Sequence, residues 1–236
     1  MVKSMIDNLQ TFRDSYIINV MACSVDGKIA SHEAESTQER NLLGYTCTKD
    51  FERLRRAVAQ CDVVFLGARS MACEKGAFYV SDLRKSQQDE PEWILFTRSG
   101  NVSFQNDFWY QKKIRKSIFF NTSNSDCDDE IPFLEVQHKQ ESFGDITYYV
   151  GNLKGLLNHL KIKKSNKIAL LGGGKLNALF WEKNLVSELL LTISPVMCGF
   201  TEAPALVYAP KLLTKKLQCK KVEQSDNFVF IDYVVR

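Results

Sequence analysis

The sequence has little of what metal sites, disulfide frameworks and membrane spans are built from. Its three histidines, His32, His138 and His159, are isolated and lack metal-ligand spacing, so we expect no metal site. The seven cysteines are odd in number and include no C-x-x-C pair, which favours reduced thiols. No apolar run approaches membrane-spanning length, and the polar residues 1–15 contain no apolar signal core. We therefore expect a cytoplasmic protein with no membrane partner.

An excess of charge of one sign is also missing. Lys and Arg number 31 and Asp and Glu 28, so the net charge is only +3. The basic clusters are typical of solvated helix or turn faces, and they lie at Lys112–Lys116, Lys161–Lys167 and Lys211–Lys221. We therefore expect no nucleic-acid partner. The length of 236 residues predicts one α/β domain over residues 1–236, with residues 1–15 as a polar extension.

Apolar periodicity predicts an alternation of strands and helices. Short apolar runs predict strands at Tyr16–Cys23, Asp62–Leu66, Trp93–Thr97, Ser117–Asn121 and Ile168–Leu171. Loops are expected at Ser24–Glu35 and Asn121–Glu130. Helices are predicted from a cap at Thr48 or Asp50 to about Gln60, from Asn152 to about Lys163, and from the glycines Gly172–Gly174 to Leu185.

The end of the chain has a different pattern. Long strand-like segments occupy Glu188–Val196, Leu212–Val222 and Asn227–Val235, and the last two form a predicted hairpin across Glu223–Asp226. The predicted fold is therefore α/β, with one mixed, mostly parallel sheet, helices on both faces and a C-terminal antiparallel hairpin.

The run Gly172–Gly174, between a predicted strand and a predicted helix, is the most informative motif. Glycines let a phosphate approach backbone N–H groups at a helix N-terminus. The run is not the usual dinucleotide fingerprint, because Asn177 stands where a glycine would be needed, and Leu176 rules out a P-loop. It predicts either a nucleotide cofactor at the carboxyl end of a strand or a sharp turn without a ligand.

Four segments, in order, resemble one known family. They are residues 19–30, 62–71, 93–102 and 170–199, and the resemblance extends from Tyr16 to Val235. The chain resembles the carboxyl-terminal reductase domain of the bifunctional riboflavin-biosynthesis deaminase–reductase, which has a dihydrofolate reductase-like fold. No H-x-E or C-x-x-C zinc signature of a deaminase is present. The resemblance implies an NADPH-dependent, homodimeric reductase that transfers a hydride to a pyrimidine-like or related small heterocycle.

The resemblance also implies site residues. Asp26 and Glu74 would be catalytic, and Lys28 and Arg55 would bind substrate. The implied cofactor contacts follow the ends of the strands: Cys23, Gly67, Ala68, Ser70, Thr97, Arg98, Gly172, Gly173, Gly174, Lys175, Leu176 and Asn177.

Several of these assignments have a plain alternative. Asp26 can position substrate or transfer a proton, or it can be the turn residue of an Asp-Gly pair. Lys28 can pair with a phosphate or be solvated. Arg98 can recognise the 2′-phosphate of NADP or be an ordinary exposed arginine. Arg55 can be a solvated member of the Arg53–Arg56 cluster.

The chain departs from the family pattern mainly in its substrate half. Leu171 stands where the family often carries a substrate-binding glutamate. The segment Ser70–Gly76 lacks the family's proline, and Glu35–Gly44 lacks its tryptophan. These departures keep two alternatives open: a nucleotide-binding protein without catalysis, and a reductase of a pterin-like substrate. Reduction of dihydrofolate itself is disfavoured, because the early Pro-Trp segment of that enzyme is missing.

Overall fold

A computed structural model describes residues 15–84, 89–122, 133–140, 143–165 and 167–236. These residues form one ten-stranded sheet with the strand order β5-β6-β4-β3-β2-β7-β1-β8-β10-β9. The strands are β1 (Tyr16–Cys23), β2 (Val63–Gly67), β3 (Glu92–Thr97), β4 (Lys116–Asn121), β5 (Leu134–Gln140), β6 (Gly144–Gly151), β7 (Lys167–Leu170), β8 (Val186–Ile193), β9 (Leu217–Ser225) and β10 (Phe228–Val235).

Within the described residues, five α-helices connect these strands. They are α1 (Thr37–Leu42), α2 (Thr48–Ala59), α3 (Ala68–Ala72), α4 (Leu153–Ile162) and α5 (Gly174–Glu182). The strands from β6 to β8 in the sheet order pair in parallel, whereas β5, β10 and β9 pair antiparallel. The predicted α/β class, with a mostly parallel sheet and a C-terminal antiparallel hairpin, is confirmed.

Strand alternation divides the core between the two faces of the sheet. In β2, Val64 packs into one apolar cluster and Phe65 into the other, as expected when successive side chains point to opposite faces. The first cluster contains Val58 of α2 and Met71 of α3. The second contains leucines of α4 and Phe180 of α5. Helices therefore cover both faces, and they leave the carboxyl ends of the parallel strands at one common edge.

Several predicted boundaries are corrected. Cys47, rather than Thr48 or Asp50, is the N-cap of α2, because its backbone is extended and its sulfur accepts the Asp50 N–H at 3.4 Å. The predicted strand from Leu212 begins only at Leu217 and continues to Ser225. Leu212 is 96% exposed and lies outside the sheet. The helices α1 and α3 and the strands β5 and β6 were not predicted from the sequence.

The C-terminal hairpin turns at Asp226 and Asn227. Both residues have positive φ angles, 50° and 68°, which is the conformation of a tight two-residue hairpin turn that asparagine and aspartate tolerate. Residues 1–14 and 123–130, which contain most of the predicted polar extension and of the predicted acidic loop, lie outside the described residues. No helix among the described residues is long and apolar enough to cross a membrane.

Candidate functional site

The loop between β7 and α5 lies at the carboxyl edge of the sheet. Gly172 has a φ of +89°, and Gly173 is the N-cap of α5 without any capping side chain. The peptide bond between these two glycines is cis. The Gly67 N–H, at the end of the neighbouring β2, donates to the Gly172 carbonyl at 2.9 Å. The turns that follow β2 and β7 are therefore held together.

Gly173 and Gly174 face different surroundings. A Cβ at Gly173 would lie 3.6 Å from the Ser70 hydroxyl oxygen, filling the space between the two turns without a clash. A Cβ at Gly174 would lie only 2.3 Å from the Ala205 carbonyl oxygen, so the chain at that point needs a glycine to pack. Gly173 thus leaves a small cradle, bordered by Ser70, that a ligand oxygen can enter.

Asn177 and Asn19 form a buried polar network behind this loop. The Asn19 amide donates to the Leu170 carbonyl at 2.9 Å and to the Asn177 side-chain oxygen at 3.1 Å. The Asn177 amide donates to the Leu206 carbonyl at 2.7 Å, and the Trp181 indole donates to Asn19 at 3.0 Å. The Asn177 side chain is fully buried and committed to the protein, so it supports the glycine loop from behind.

Asp26 anchors a segment that follows β8. Its carboxylate accepts the Ser24 hydroxyl at 2.6 Å, the Cys198 N–H at 3.0 Å and the Gly199 N–H at 2.9 Å. These hydrogen bonds hold the pKa of Asp26 well below its usual range, and the hydrogen bond from Ser24 has the largest effect. Gly27 follows with a φ of +79°, as in the predicted Asp-Gly turn. An ionised carboxylate saturated in this way is a structural anchor and a poor proton donor.

Cys23 and Lys28 flank Asp26. Burial, and then the charge of Asp26, raises the pKa of the Cys23 thiol to about 11, so this thiol is neutral. The Lys28 ammonium donates to the carbonyls of Thr201 at 3.0 Å and Ala203 at 3.1 Å. Lys28 and Asp26 therefore tie the first loop to the segment 198–203.

Glu74 belongs to a different group of side chains. Its carboxylate accepts the Thr37 hydroxyl at 2.8 Å and the Thr37 N–H at 3.1 Å, and it pairs with Arg40 at 2.8 Å. These contacts fasten α1 to the turn after α3. The structure thus gives Asp26 and Glu74 separate sets of partners.

Of the remaining predicted residues, Arg55 lies within α2, and Thr97 and Ala68 lie at the ends of their elements. Arg55 donates to the Tyr79 carbonyl at 3.0 and 3.1 Å and to Asp82 at 2.5 Å, so its guanidinium is engaged within the protein. The Thr97 hydroxyl accepts the Gly100 N–H at 3.1 Å and closes the turn that carries the exposed Arg98. Ala68 is buried at the start of α3.

Asp50, at the start of α2, is a carboxylate that the sequence indicated only as a possible helix cap. Asp50 accepts a hydrogen bond from the Thr192 hydroxyl, which in turn accepts from Arg53 at 3.2 Å. Burial raises the pKa of Asp50, and the Thr192 hydrogen bond and the charges of Arg53 and Arg40 offset this only in part. The signal was present in the sequence, because Thr192 is a polar residue within the apolar run of β8.

Thr192 connects Asp50 to the carboxyl edge. It is fully buried in β8 and pairs with Ala22 of β1. On the other side of β1, Leu171 directly follows β7 and packs on the same face of the sheet as α2. Asp50 and Leu171 therefore lie on the same face of the sheet, near β8 and β7, which flank β1.

A cavity of about 600 Å³ lies between α2 and the C-terminal strands. The charged side chains that line it form ion pairs with one another: Lys49 with Glu223, Arg53 with Asp232, and Lys221 with Glu223 at 2.9 Å. Because these cations already have carboxylate partners, the cavity does not favour an anionic ligand. Across the described residues, no group of three or more His, Cys, Asp or Glu side chains could hold a metal ion.

Comparison with solved structures shows the same fold in reductases. The chain is similar to a pyrimidine reductase-like protein from Corynebacterium diphtheriae, with a TM-score of 0.71, 15% identity and coverage of 97% of this chain and 94% of that chain. It is similar to a diaminohydroxyphosphoribosylaminopyrimidine deaminase/5-amino-6-(5-phosphoribosylamino)uracil reductase from Thermotoga maritima, with a TM-score of 0.68 and 15% identity. That match covers 96% of this chain and 58% of the Thermotoga chain.

A third similar structure is a riboflavin biosynthesis reductase from Saccharomyces cerevisiae, with a TM-score of 0.64 and 10% identity. The match covers 98% of this chain and 99% of the yeast chain. At identities this low, the structural matches establish the shared fold alone. The family model for the RibD C-terminal domain matches residues 15–231, which is nearly the whole sequence. The chain therefore belongs to the RibD C-terminal domain family.

Proposed function

We propose that this protein is an NADPH-dependent reductase of a pyrimidine-like heterocycle, acting as 5-amino-6-(5-phosphoribosylamino)uracil reductase or on a closely related compound. The observation that carries the proposal is the cradle at Gly173, between two turns that the Gly67–Gly172 hydrogen bond holds together. Family membership and the reductases of the same fold support the reaction class.

The residues of the carboxyl edge fit a dinucleotide. Gly173 leaves space beside the Ser70 hydroxyl, and the first turn of α5 presents N–H groups that no side chain caps. A bound dihydronicotinamide supplies the hydride, so the protein needs no strong nucleophile. The tasks left to the chain are to hold the phosphates, to orient the acceptor and to provide a route for one proton.

Asp50 is the carboxyl group best suited to the substrate half of the site. Asp50 is half-buried and its pKa is raised toward neutral pH, so both its protonated and its ionised form are easier to reach there. Proton transfer requires both forms. It can also pair with the N–H groups of a heterocycle, in place of the family glutamate that is absent at Leu171. Glu74 and Arg40 lie on the same side, since the charge of Arg40 is felt at Asp50.

Asp26 and Lys28 take a supporting role in this proposal. Both bind the segment after β8, and Asp26 stays ionised at any physiological pH. We expect them to shape the wall of the site near β1 rather than to exchange a proton with the substrate.

Turnover is the test of the proposal. Oxidation of NADPH is followed by absorbance with the ribosylaminopyrimidine and with a pterin as substrates, for wild type, Asp50→Asn and the control Asp145→Asn. Asp145 is exposed at the start of β6, far along the sheet from β1 and β8. We expect Asp50→Asn to lose turnover by about 10²-fold or more, the usual contribution of a positioned proton-transfer group, and Asp145→Asn to match wild type. Equal turnover in all three would remove Asp50 from the mechanism.

Leu171 favours a second candidate function. Replacing a substrate carboxylate with an apolar side chain removes hydrogen bonds that a polar pyrimidine needs, at about 1–3 kcal/mol for each group left unpaired. A protein that binds the dinucleotide but reduces neither compound would support a nucleotide-binding role without catalysis.

The assembly state and the location of the protein follow from the same proposal. We expect a homodimer, because β9 is an edge strand of the sheet and exposed edges are usually covered. We expect it in the cytoplasm, because the odd number of cysteines without a C-x-x-C pair favours reduced thiols. Light scattering at micromolar concentration measures the mass directly.

A further inference from the structure

A line of polar contacts connects Asp50 to the C-terminal hairpin. Asp50 of α2 accepts a hydrogen bond from the Thr192 hydroxyl of β8. The Thr192 hydroxyl accepts one from the Arg53 guanidinium at 3.2 Å. Arg53 in turn pairs with the Asp232 carboxylate of β10 and donates to the Ile231 carbonyl at 2.9 Å. Side chains from α2, β8 and β10 are therefore linked one after another, with Asp50 at the end of the line.

Arg53 determines which way the Thr192 hydroxyl donates. A threonine hydroxyl has one proton to donate and two lone pairs with which to accept, whereas a guanidinium can only donate. The contact with Arg53 therefore uses a lone pair of Thr192 and leaves the hydroxyl proton for Asp50. Thr192 is fully buried, so bulk water does not compete for that proton. The hydroxyl thus orients the Asp50 carboxylate.

The guanidinium of Arg53 is held in place from the side opposite to Thr192. It lies over the Phe230 ring, 5.8 Å from the centroid, and it binds two acceptors on β10, the Asp232 carboxylate and the Ile231 carbonyl. Its side chain is only 18% exposed. Because a planar guanidinium with several fixed partners keeps its geometry, the positive charge stays one hydroxyl group away from Asp50.

Two cations act on Asp50, one from its own helix and one from α1. These are Arg53 and Arg40, and β8 presents only a neutral hydroxyl. Each cation has a carboxylate partner of its own, because Arg40 pairs with Glu74 at 2.8 Å and Arg53 pairs with Asp232. Burial disfavours the ionised form of Asp50, and the cations favour it. Asp232 therefore reduces the net positive charge that Arg53 presents to Asp50.

We infer that Thr192 and Arg53 are positioning residues that hold the Asp50 carboxyl for proton transfer, and that Asp232 on the C-terminal hairpin limits the effect of the Arg53 charge on it. This inference rests on the proposed function for the role of Asp50. Each of the three residues acts through Asp50: Thr192 orients it, Arg53 fixes the hydroxyl and favours ionisation, and Asp232 holds Arg53.

An NMR titration of the Asp50 carboxyl carbon in the unliganded protein tests the inference without any turnover. The resonance is assigned by its absence in Asp50→Asn. Arg53→Gln removes a positive charge, and Thr192→Val removes the hydroxyl from a side chain of the same shape, so both should raise the pKa of Asp50. Asp232→Asn removes the counter-ion of Arg53 and should lower the pKa of Asp50.

The matched control is Arg56→Gln, which removes an arginine charge from the same helix. Arg56 is 71% exposed and pairs with Glu52 at 3.6 Å, so its loss should leave the titration of Asp50 unchanged. The opposite signs expected for Arg53→Gln and Asp232→Asn exclude a merely structural effect. Loosened packing would hydrate Asp50 and lower its pKa in both variants.

Turnover gives a second measurement. Thr192→Val leaves Asp50 without its orienting hydrogen bond and should lower kcat by about tenfold or more, because small misplacements of a reacting group are costly. KM for NADPH should change little, since the interaction serves the chemical step. Thr192→Ser restores the hydroxyl and should recover most of the wild-type kcat. Arg53→Gln should shift the pH profile of kcat to higher pH, in parallel with the NMR titration.

The outcomes separate this inference from the proposed function. An Asp50 titration that stays unchanged, or moves to lower pH, in both Arg53→Gln and Thr192→Val would overturn the inference. A Thr192→Ser enzyme as slow as Thr192→Val would also overturn it. A wild type that reduces neither the ribosylaminopyrimidine nor the pterin would contradict the proposed function instead, and the NMR titration would still decide whether Thr192 and Arg53 act on Asp50.

Discussion

The substitution Gly173→Ala should separate ligand binding from folding. The backbone at Gly173 has φ −73° and ψ −165°, which any residue can adopt, and the new methyl group would meet Ser70 and Ile29 at 3.6 and 3.8 Å. These are ordinary contacts. Replacing glycine with alanine at a compatible backbone position stabilises a protein by about 0.4–1 kcal/mol. The unliganded variant should therefore melt at or slightly above the temperature of the wild type.

The same methyl group fills the cradle beside Ser70, where we place a phosphate oxygen. A ligand at about 100 times its Kd stabilises the native state by about 2.7 kcal/mol. For a chain of this length each kcal/mol raises Tm by about 2–4 °C, so NADPH should raise the wild-type Tm by about 5–10 °C. Gly173→Ala should lose most of that increase.

Gly174→Ala is the matched variant with the opposite outcome. Its Cβ would lie 2.3 Å from the Ala205 carbonyl oxygen, so the backbone of one segment must move. Overpacking of this kind costs about 1–3 kcal/mol, and the unliganded Tm should fall by several degrees. Differential scanning fluorimetry with and without NADPH measures both effects. A Gly173→Ala protein with a full NADPH shift would refute the placement of the phosphate.

Three further predictions concern other parts of the molecule. Burial raises the pKa of Asp50, so its ionisation lowers the free energy of unfolding of the wild type as the pH rises from about 4. In urea unfolding, the stability of Asp50→Asn relative to wild type should therefore increase from about pH 4 to neutral pH. Asp26→Asn should show the reverse, because hydrogen bonds lower the pKa of Asp26: it is less stable than wild type at neutral pH, and the difference fades below about pH 4. Asn177→Ala leaves the Leu206 carbonyl without its donor and should lose about 1–3 kcal/mol of unfolding free energy, whereas unchanged stability would contradict the buried network.

Sequence patterns predicted the buried parallel strands well. Tyr16–Cys23 is an apolar run between polar residues, and its bounds match β1. The same patterns predicted strand bounds wrongly where the strand is only partly buried. The strand β9 is polar along most of its length, and it begins where Leu217 pairs with Val235 rather than at the apolar Leu212. Only tertiary pairing sets that boundary.

The site was predictable where it depends on chain order. The glycines Gly172–Gly174 follow β7, and β2 is a parallel neighbour of β7, so the turn after β2 lies beside these glycines. The Gly67–Gly172 hydrogen bond is therefore consistent with the prediction made from the glycine motif. Thr192 was visible in the sequence as a polar residue within an apolar strand, but its pairing with Asp50 was not predictable, because the two residues are far apart in sequence. They meet only because α2 crosses the face of β1 and β8.

A crystal structure of the complex with NADPH would test the proposed site most directly. We expect phosphate oxygens in the space between Ser70 and Gly173, with the nicotinamide between the end of β1 and the face that carries Asp50. Binding of the dinucleotide elsewhere, with Gly173 free of ligand contacts, would contradict the proposed site.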